Sequence, residues 1–134
     1  MTHFVIKSLK DFENHNIQKL IGTRRVILFI HAEWCGHCRV LLEKYERGKP
    51  AIWDVVKRNN PNVTVVEMES KVAEALVREK KESLLASIIT KSLRGYPFIA
   101  RVERVDAKNN TLSVVVFNYP ERTVHALTQF FKSS

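Results

Sequence analysis

The chain has 134 residues, of which 45% are hydrophobic, with only four glycines and four prolines. This composition suits a single domain over residues 1–134 and leaves little room for linkers. Lys and Arg total 22 against 14 Asp and Glu, which gives a formal net charge of +8. The charge favours acidic partners through electrostatic steering. However, the basic residues are dispersed and form no aromatic-and-basic stripe, so specific nucleic-acid binding is not expected.

Neither terminus resembles a targeting segment. Residues 1–10 lack the long uncharged core of a secretory signal, and the last residues carry no ER-retention tetrapeptide. No apolar run approaches the roughly 20 residues that span a bilayer. These features predict a cytoplasmic or virion-associated protein that does not enter a membrane, unless a leader has been removed.

Hydrophobic periodicity predicts alternating strands and helices. Residues 4–6 form a short strand, residues 9–20 a helix capped by Ser8, and residues 26–32 a near-continuous apolar strand covered on both faces. A helix then opens at the cysteines, is interrupted at residues 48–50, and resumes at 52–56. The later predicted elements are a strand at 63–68, a helix or pair of helices at 71–89, an antiparallel hairpin of 97–105 and 111–117, and a helix at 123–131.

The two cysteines lie together in the stretch Trp34-Cys35-Gly36-His37-Cys38, directly after the buried strand. A thiolate attacks a disulfide, and a second thiol nearby can resolve the mixed disulfide. If a helix starts at Cys35, its free N–H groups and dipole stabilise the Cys35 thiolate, while Cys38 lies one turn further on. This spacing predicts Cys35 as the attacking residue and Cys38 as the resolving residue.

A structural zinc site is the main alternative use of a cysteine pair. Such sites usually need four ligands, but there is no second cysteine pair and the five histidines are scattered. No metal and no cofactor are therefore predicted.

The chain resembles the thioredoxin superfamily, and within it the catalytic domains of protein disulfide isomerases. The resemblance rests on residues 32–38, on Arg94-Gly95-Tyr96-Pro97, and on the segment from Tyr119 to Thr123. It implies an α/β thioredoxin fold, a central mixed sheet flanked by helices in the order β-α-β-α-β-α-β-β-α.

The resemblance also implies roles for particular side chains. Pro97 matches the cis-proline opposite the two cysteines, so that Tyr96 and Pro97 would present substrate backbone, with Trp34 shaping the rim. Arg122 matches an arginine that approaches the resolving cysteine; its alternative is a solvated residue before a helix. The inter-cysteine residues Gly36 and His37 are of the isomerase type. A histidine there stabilises the reduced form and makes the disulfide more oxidising.

Three positions depart from the family pattern. Phe29 stands where a buried carboxylate usually accepts the proton of the resolving cysteine, with His31 or a water as a replacement that we do not favour. Glu33 and Glu43 each stand where related domains have proline. The long segment at residues 71–92 exceeds that of a minimal thioredoxin and is a place for a partner-binding extension.

The sequence thus predicts a thiol-disulfide oxidoreductase that acts on protein disulfides or thiols, with the poise of an oxidase or isomerase. Two alternatives stay open: a thioredoxin-fold binding module with little turnover, and a basic nucleic-acid-binding or virion-associated protein. The nucleic-acid alternative rests only on the net charge of +8, and the virion association rests on a weak likeness to small thioredoxin-like proteins of large DNA viruses.

Overall fold

The computed structural model describes residues 2–43, 47–106, 108, 111–118 and 121–132. Within these ranges the strands are β1 (Thr2–Ile6), β2 (Val26–His31), β3 (Thr64–Glu69), β4 (Phe98–Asp106) and β5 (Thr111–Val116). The helices are α1 (Leu9–Asn14), α2 (Ile17–Thr23), α3 (Gly36–Leu42), α4 (Ile52–Arg58), α5 (Ser70–Glu79), α6 (Leu84–Ser92) and α7 (Val124–Lys132). None of the helices in these ranges is both long enough and apolar enough to cross a bilayer.

The strands form one mixed sheet in the order β1-β3-β2-β4-β5. Strands β1, β3 and β2 are parallel, whereas β4 is antiparallel to β2 and β5 is antiparallel to β4. The central strand β2 is buried along almost its whole length, as its apolar run predicts for a strand with helices on both faces. The cysteine pair follows directly after the C-terminal end of β2.

Each face of the sheet carries its own apolar core. One core includes buried side chains from α1, α2, α5 and α6, among them Phe12, Ile21, Leu76 and Leu85. The other combines Phe29 of β2 with side chains of α3, α4 and α7. The predicted α/β fold and the predicted order of elements are therefore confirmed, and the predicted interruption of the helix after the cysteines separates α3 from α4.

The prediction of one helix over residues 9–20 was wrong. Asn16 adopts a left-handed backbone conformation with φ of 52° and separates α1 from α2. The apolar residues Phe12 and Ile17 are five positions apart, which does not fit a single helical face, and asparagine tolerates the left-handed region. At residues 71–89 the alternative of two helices is confirmed, and Ser83 caps α6 by accepting a hydrogen bond from the Ala86 N–H at 3.1 Å.

The pattern of the predicted hairpin places the polar residues Arg101, Glu103 and Arg104 near or on its exposed side, and for Arg101 this prediction was wrong. Its side chain is buried and donates a hydrogen bond to the carbonyl of Phe130 at 2.9 Å. The guanidinium also lies 5.0 Å from the centre of the Phe130 ring. Alternation along β4 could not predict this burial, because it depends on the end of α7 packing across that strand.

Candidate redox site

The cysteine pair lies where β2 passes into α3. Cys35 is the N-cap residue, and its Sγ accepts a hydrogen bond from the Cys38 N–H at 3.3 Å. The helix therefore begins at Gly36, one position later than predicted, which leaves the Cys35 sulfur facing the first turn. Both cysteines are free thiols in this structure. A helix N-terminus that already donates to the sulfur can also stabilise the negative charge of a thiolate.

The two cysteines share their packing partners but differ slightly in burial. Cys35 is 6% exposed and Cys38 is 1% exposed, and both pack with Ala32 and Tyr96. The difference is small, but it gives Cys35 the more accessible side chain. This ordering agrees with attack by Cys35 and resolution by Cys38, which stay predictions.

Cys38 is held strongly in the protonated form. Burial raises the pKa of the Cys38 thiol to about 12, and the hydrogen bond with Cys35 acts in the same direction. The backbone contact with Ala32 and the positive charge of Arg122 both act to lower that pKa. The charge of Arg122 therefore favours the Cys38 thiolate but does not outweigh burial, and the role that the resemblance implies for Arg122 stays a prediction. Tyr119, at the start of that matching segment, lies outside the described residues.

The predicted substrate-facing residues meet beside Cys35. The Tyr96–Pro97 peptide bond is cis, as predicted. The Cys35 thiol donates to the carbonyl of Tyr96 at 3.5 Å. Trp34 is 73% exposed, and its ring meets that of Tyr96 edge-on with 5.7 Å between centroids. An exposed aromatic ring therefore lies against Tyr96, whose carbonyl contacts the Cys35 sulfur.

Gly36 and His37 both lie on the exposed surface of the first turn of α3. That position puts the imidazole in solvent beside the cysteine pair. The proposed effect of His37 on the redox poise stays a prediction.

Phe29 is fully buried, so the strand position before the motif carries no proton acceptor. Its ring packs against the rings of Trp53 and His31, with centroid distances of 4.2 and 5.1 Å. In the parallel register of β2 and β3, the residue opposite Phe29 is Glu67. A carboxylate is therefore present on the neighbouring strand rather than on β2.

Glu67 is the centre of a polar cluster that spans β1, β3 and β2. It accepts a hydrogen bond from the Trp53 Nε1–H at 3.0 Å, and its Oε1 lies 3.0 Å from His3 Nε2. His31 Nε2 lies 3.6 Å from the other carboxylate oxygen. Hence His31, considered above as a replacement proton acceptor, pairs with Glu67. Although a carboxylate meets two histidines here, the described part of the chain contains no group of three such ligands placed to hold a metal ion.

The cluster keeps Glu67 ionised. Burial acts to raise the pKa of this carboxyl, but hydrogen bonds from His3, His31 and Trp53 outweigh it and hold the pKa well below its usual range. Sequence reasoning missed this residue because its neighbours come from three separate segments. The one available signal was a single acidic residue inside the β-branched run of β3, at a position where a buried strand is normally apolar.

Comparison with known proteins places this arrangement in a structural context. No family model matches the sequence, and no curated protein matches it significantly. Among solved structures, the first thioredoxin domain of mouse protein disulfide-isomerase A4 is similar, with 24% identity and a TM-score of 0.54 over 96% of this chain and 71% of that one.

Two further solved structures are also similar to this chain. Thioredoxin O2 from Arabidopsis thaliana, in its oxidised state, has 17% identity and a TM-score of 0.52, covering 98% of this chain and 96% of that one. The J-Trx1 fragment of ERdj5 has 10% identity and a TM-score of 0.55, covering 96% of this chain and 49% of that one. At these identities the likeness establishes the fold. The chain therefore has a thioredoxin fold, with its cysteine pair where β2 meets α3.

Proposed function

We propose that this protein is a thiol-disulfide oxidoreductase that acts on protein disulfides and thiols. The observation that carries the proposal is the position of the Cys35 sulfur. It accepts the Cys38 N–H at 3.3 Å and lies 3.5 Å from the Tyr96 carbonyl, beside the exposed ring of Trp34. A sulfur held in this way faces the N–H groups of the helix start and can meet a substrate that lies along the Tyr96 backbone.

The reduction of a substrate proceeds in two displacements. The Cys35 thiolate attacks a substrate disulfide, a bond forms between Cys35 and one substrate sulfur, and the other substrate sulfur leaves as a thiolate. Cys38 then loses its proton and attacks the Cys35 sulfur, which forms the Cys35–Cys38 disulfide and releases the second substrate thiolate. Two electrons pass from protein to substrate, and oxidation of a substrate dithiol is the reverse sequence.

The second displacement is the demanding step because Cys38 is buried and its pKa is raised to about 12. Burial, the largest cause of the raised pKa, also acts on Cys38 in the mixed disulfide, so the second displacement is slow unless a base or a positive charge assists. Arg122 supplies such a charge. A long-lived mixed disulfide favours rearrangement of substrate disulfides over simple reduction. The oxidase- or isomerase-like poise that we propose rests separately on Gly36 and His37.

The reactivation of ribonuclease A with scrambled disulfides, in a buffer of reduced and oxidised glutathione, tests this function. The protein should accelerate reactivation, Cys35→Ser should abolish the acceleration, and Cys38→Ser should accumulate mixed disulfides that alkylation and mass spectrometry detect. A wild-type rate equal to that of Cys35→Ser would contradict the proposal.

A binding module with little turnover is the second candidate. It is favoured by one observation, the replacement of the usual buried carboxylate by the fully buried Phe29. If this candidate is correct, the protein binds unfolded chains equally well as wild type and as Cys35→Ser, and neither protein changes their disulfides.

A further inference from the structure

A groove opens between α5 and α6 at the edge of the redox site. It encloses about 350 Å³ and is lined by Glu74 and Val77 of α5, by Ile89 and Thr90 of α6, and by Leu93 and Tyr96 after α6. The volume is at the low end of the range for ligand pockets, enough for one or two side chains. This groove lies in the long segment that was predicted to hold a partner-binding extension.

The floor of the groove is apolar and its rim is polar. Ile89 is 4% exposed and belongs to the core beneath the helices, while Val77 and Leu93 are half-buried and pack against that core. Glu74 and Thr90 are exposed at the rim. An apolar side chain bound in this groove would contact aliphatic groups on most sides and would stay in contact with water on one side.

Tyr96 connects the groove with the dithiol. Its side chain lines the groove and packs against both the core under α5 and α6 and the cluster of Ala32, Cys35 and Cys38. Its backbone carbonyl accepts the Cys35 thiol at 3.5 Å. A polypeptide whose cysteine reaches Cys35 therefore passes within a few residues of the groove.

The groove is acidic although the whole chain carries a formal charge of +8. Glu74 lines it, and no lysine or arginine lines it among the described residues. Burial raises the pKa of the Tyr96 phenol, and the negative charges of Glu74 and Glu69 raise it further, so both carboxylates act on this ring. Arg94, the nearest arginine in the sequence, donates to the carbonyls of Leu93 and Lys91 and so caps the end of α6.

We propose that this groove is a specificity subsite for the protein substrate. It holds an apolar side chain of the segment whose cysteine reacts with Cys35, and Glu74 pairs with a lysine or arginine next to that side chain. The inference rests on the proposed function and adds to it a preferred substrate class, a cysteine with an apolar-basic pair nearby. We infer a substrate segment as the occupant because Tyr96 joins the groove to the dithiol. We infer a basic residue in that segment because Glu74 is negatively charged.

Fluorogenic peptides with one disulfide provide the test. Three series of peptides carry the pair Leu-Lys, Leu-Glu or Ala-Lys. Within each series the pair lies two, three or four residues before or after the reactive cysteine. At the best position, kcat/KM for Leu-Lys should exceed that for Ala-Lys about tenfold, the value of burying much of a leucine side chain. It should exceed that for Leu-Glu about two- to fivefold or more, the range for an exposed ion pair.

Two variants address the two parts of the subsite. Glu74→Gln should lower kcat/KM for the Leu-Lys peptide about two- to fivefold and should not lower kcat/KM for the Leu-Glu peptide. Glu79→Gln, on the same helix and with the same change of charge but outside the lining, is the matched control and should change neither. Thr90→Trp, at an exposed rim position, should fill the groove and remove the preference for leucine over alanine.

Glutathione disulfide, which is too small to reach the groove, separates this inference from the proposed function. All variants should turn it over at the wild-type rate. If they do so but the three peptides react equally, or if Glu74→Gln and Glu79→Gln behave alike, the subsite is refuted while the oxidoreductase stands. If the wild type turns over neither peptides nor glutathione disulfide, the proposed function fails and the subsite fails with it.

Discussion

Replacement of Glu67 by glutamine tests the polar cluster that joins three strands. The carboxylate accepts two contacts of 3.0 Å, from Trp53 and His3, and lies 3.6 Å from His31. A hydrogen bond to a charged group contributes about 1.5–3 kcal/mol to stability. Glutamine keeps the shape and one acceptor oxygen, but it loses the charge and turns an N–H₂ group towards donors.

We therefore expect Glu67→Gln to lower the free energy of unfolding by about 2–3 kcal/mol at pH 7, roughly the loss of one charged hydrogen bond. Most domains are stable by only about 5–15 kcal/mol, so the loss should be plain in urea or thermal unfolding. Glu82→Gln, which changes the same charge at an exposed position, is the control and should stay within about 0.5 kcal/mol of wild type.

The contribution of Glu67 to the stability of the fold depends on pH, and the direction of this dependence follows from its pKa. The pKa of Glu67 is lower in the folded protein than in the unfolded chain. The carboxylate therefore contributes its full stability above the unfolded value of about 4.3, and the contribution declines as the pH falls below that value. The gap between wild type and Glu67→Gln should be present at pH 7 and should narrow as the pH falls below about 4.3. A gap that is absent at pH 7, or that does not narrow below about pH 4.3, would refute this account of the cluster.

Three further substitutions probe other parts of the molecule. Arg122→Gln removes a charge that lowers the pKa of Cys38, so the mixed disulfide should persist about two- to fivefold longer at neutral pH. Quenched-flow alkylation measures this lifetime, and an unchanged lifetime would argue against the role of Arg122. His37→Pro should shift the potential of the pair from about −180 mV towards about −270 mV in a glutathione or dithiothreitol titration, whereas an unaltered potential would show that His37 does not set the poise. Arg101→Met removes the donor to the Phe130 carbonyl at the end of α7 and should cost about 1–2 kcal/mol in denaturant unfolding; stability equal to wild type would mean that this buried hydrogen bond has no net value.

The parts of the molecule that could be predicted are those encoded locally. The apolar run of β2, the Ser8 cap of α1, whose hydroxyl accepts the Asp11 N–H at 3.3 Å, and the spacing of Cys35 and Cys38 each specify their structure within a few residues. The break at Asn16 was also visible in principle, because Phe12 and Ile17 do not share a helical face. It was missed since a single asparagine is a weak signal.

The remaining features depend on contacts between distant segments. Glu67 lies opposite Phe29 only because β3 pairs with β2 in one particular register, and a shift by one residue would turn the carboxylate to the other face. The burial of Arg101 depends on α7, about 30 residues later. The groove by Tyr96 exists only when α5 and α6 pack side by side. None of these could be read from periodicity along one segment.

The central claim is that Cys35 and Cys38 form a working dithiol, and its most direct test is their equilibrium in glutathione redox buffers. Alkylation trapping followed by mass spectrometry counts the molecules with both thiols free, with one glutathione attached, and with the Cys35–Cys38 disulfide. The account predicts a single reversible two-electron transition with little mixed disulfide at equilibrium, and a potential near about −180 mV. A protein that never forms the intramolecular disulfide, or that stops at the glutathione adduct across the whole series, would contradict it.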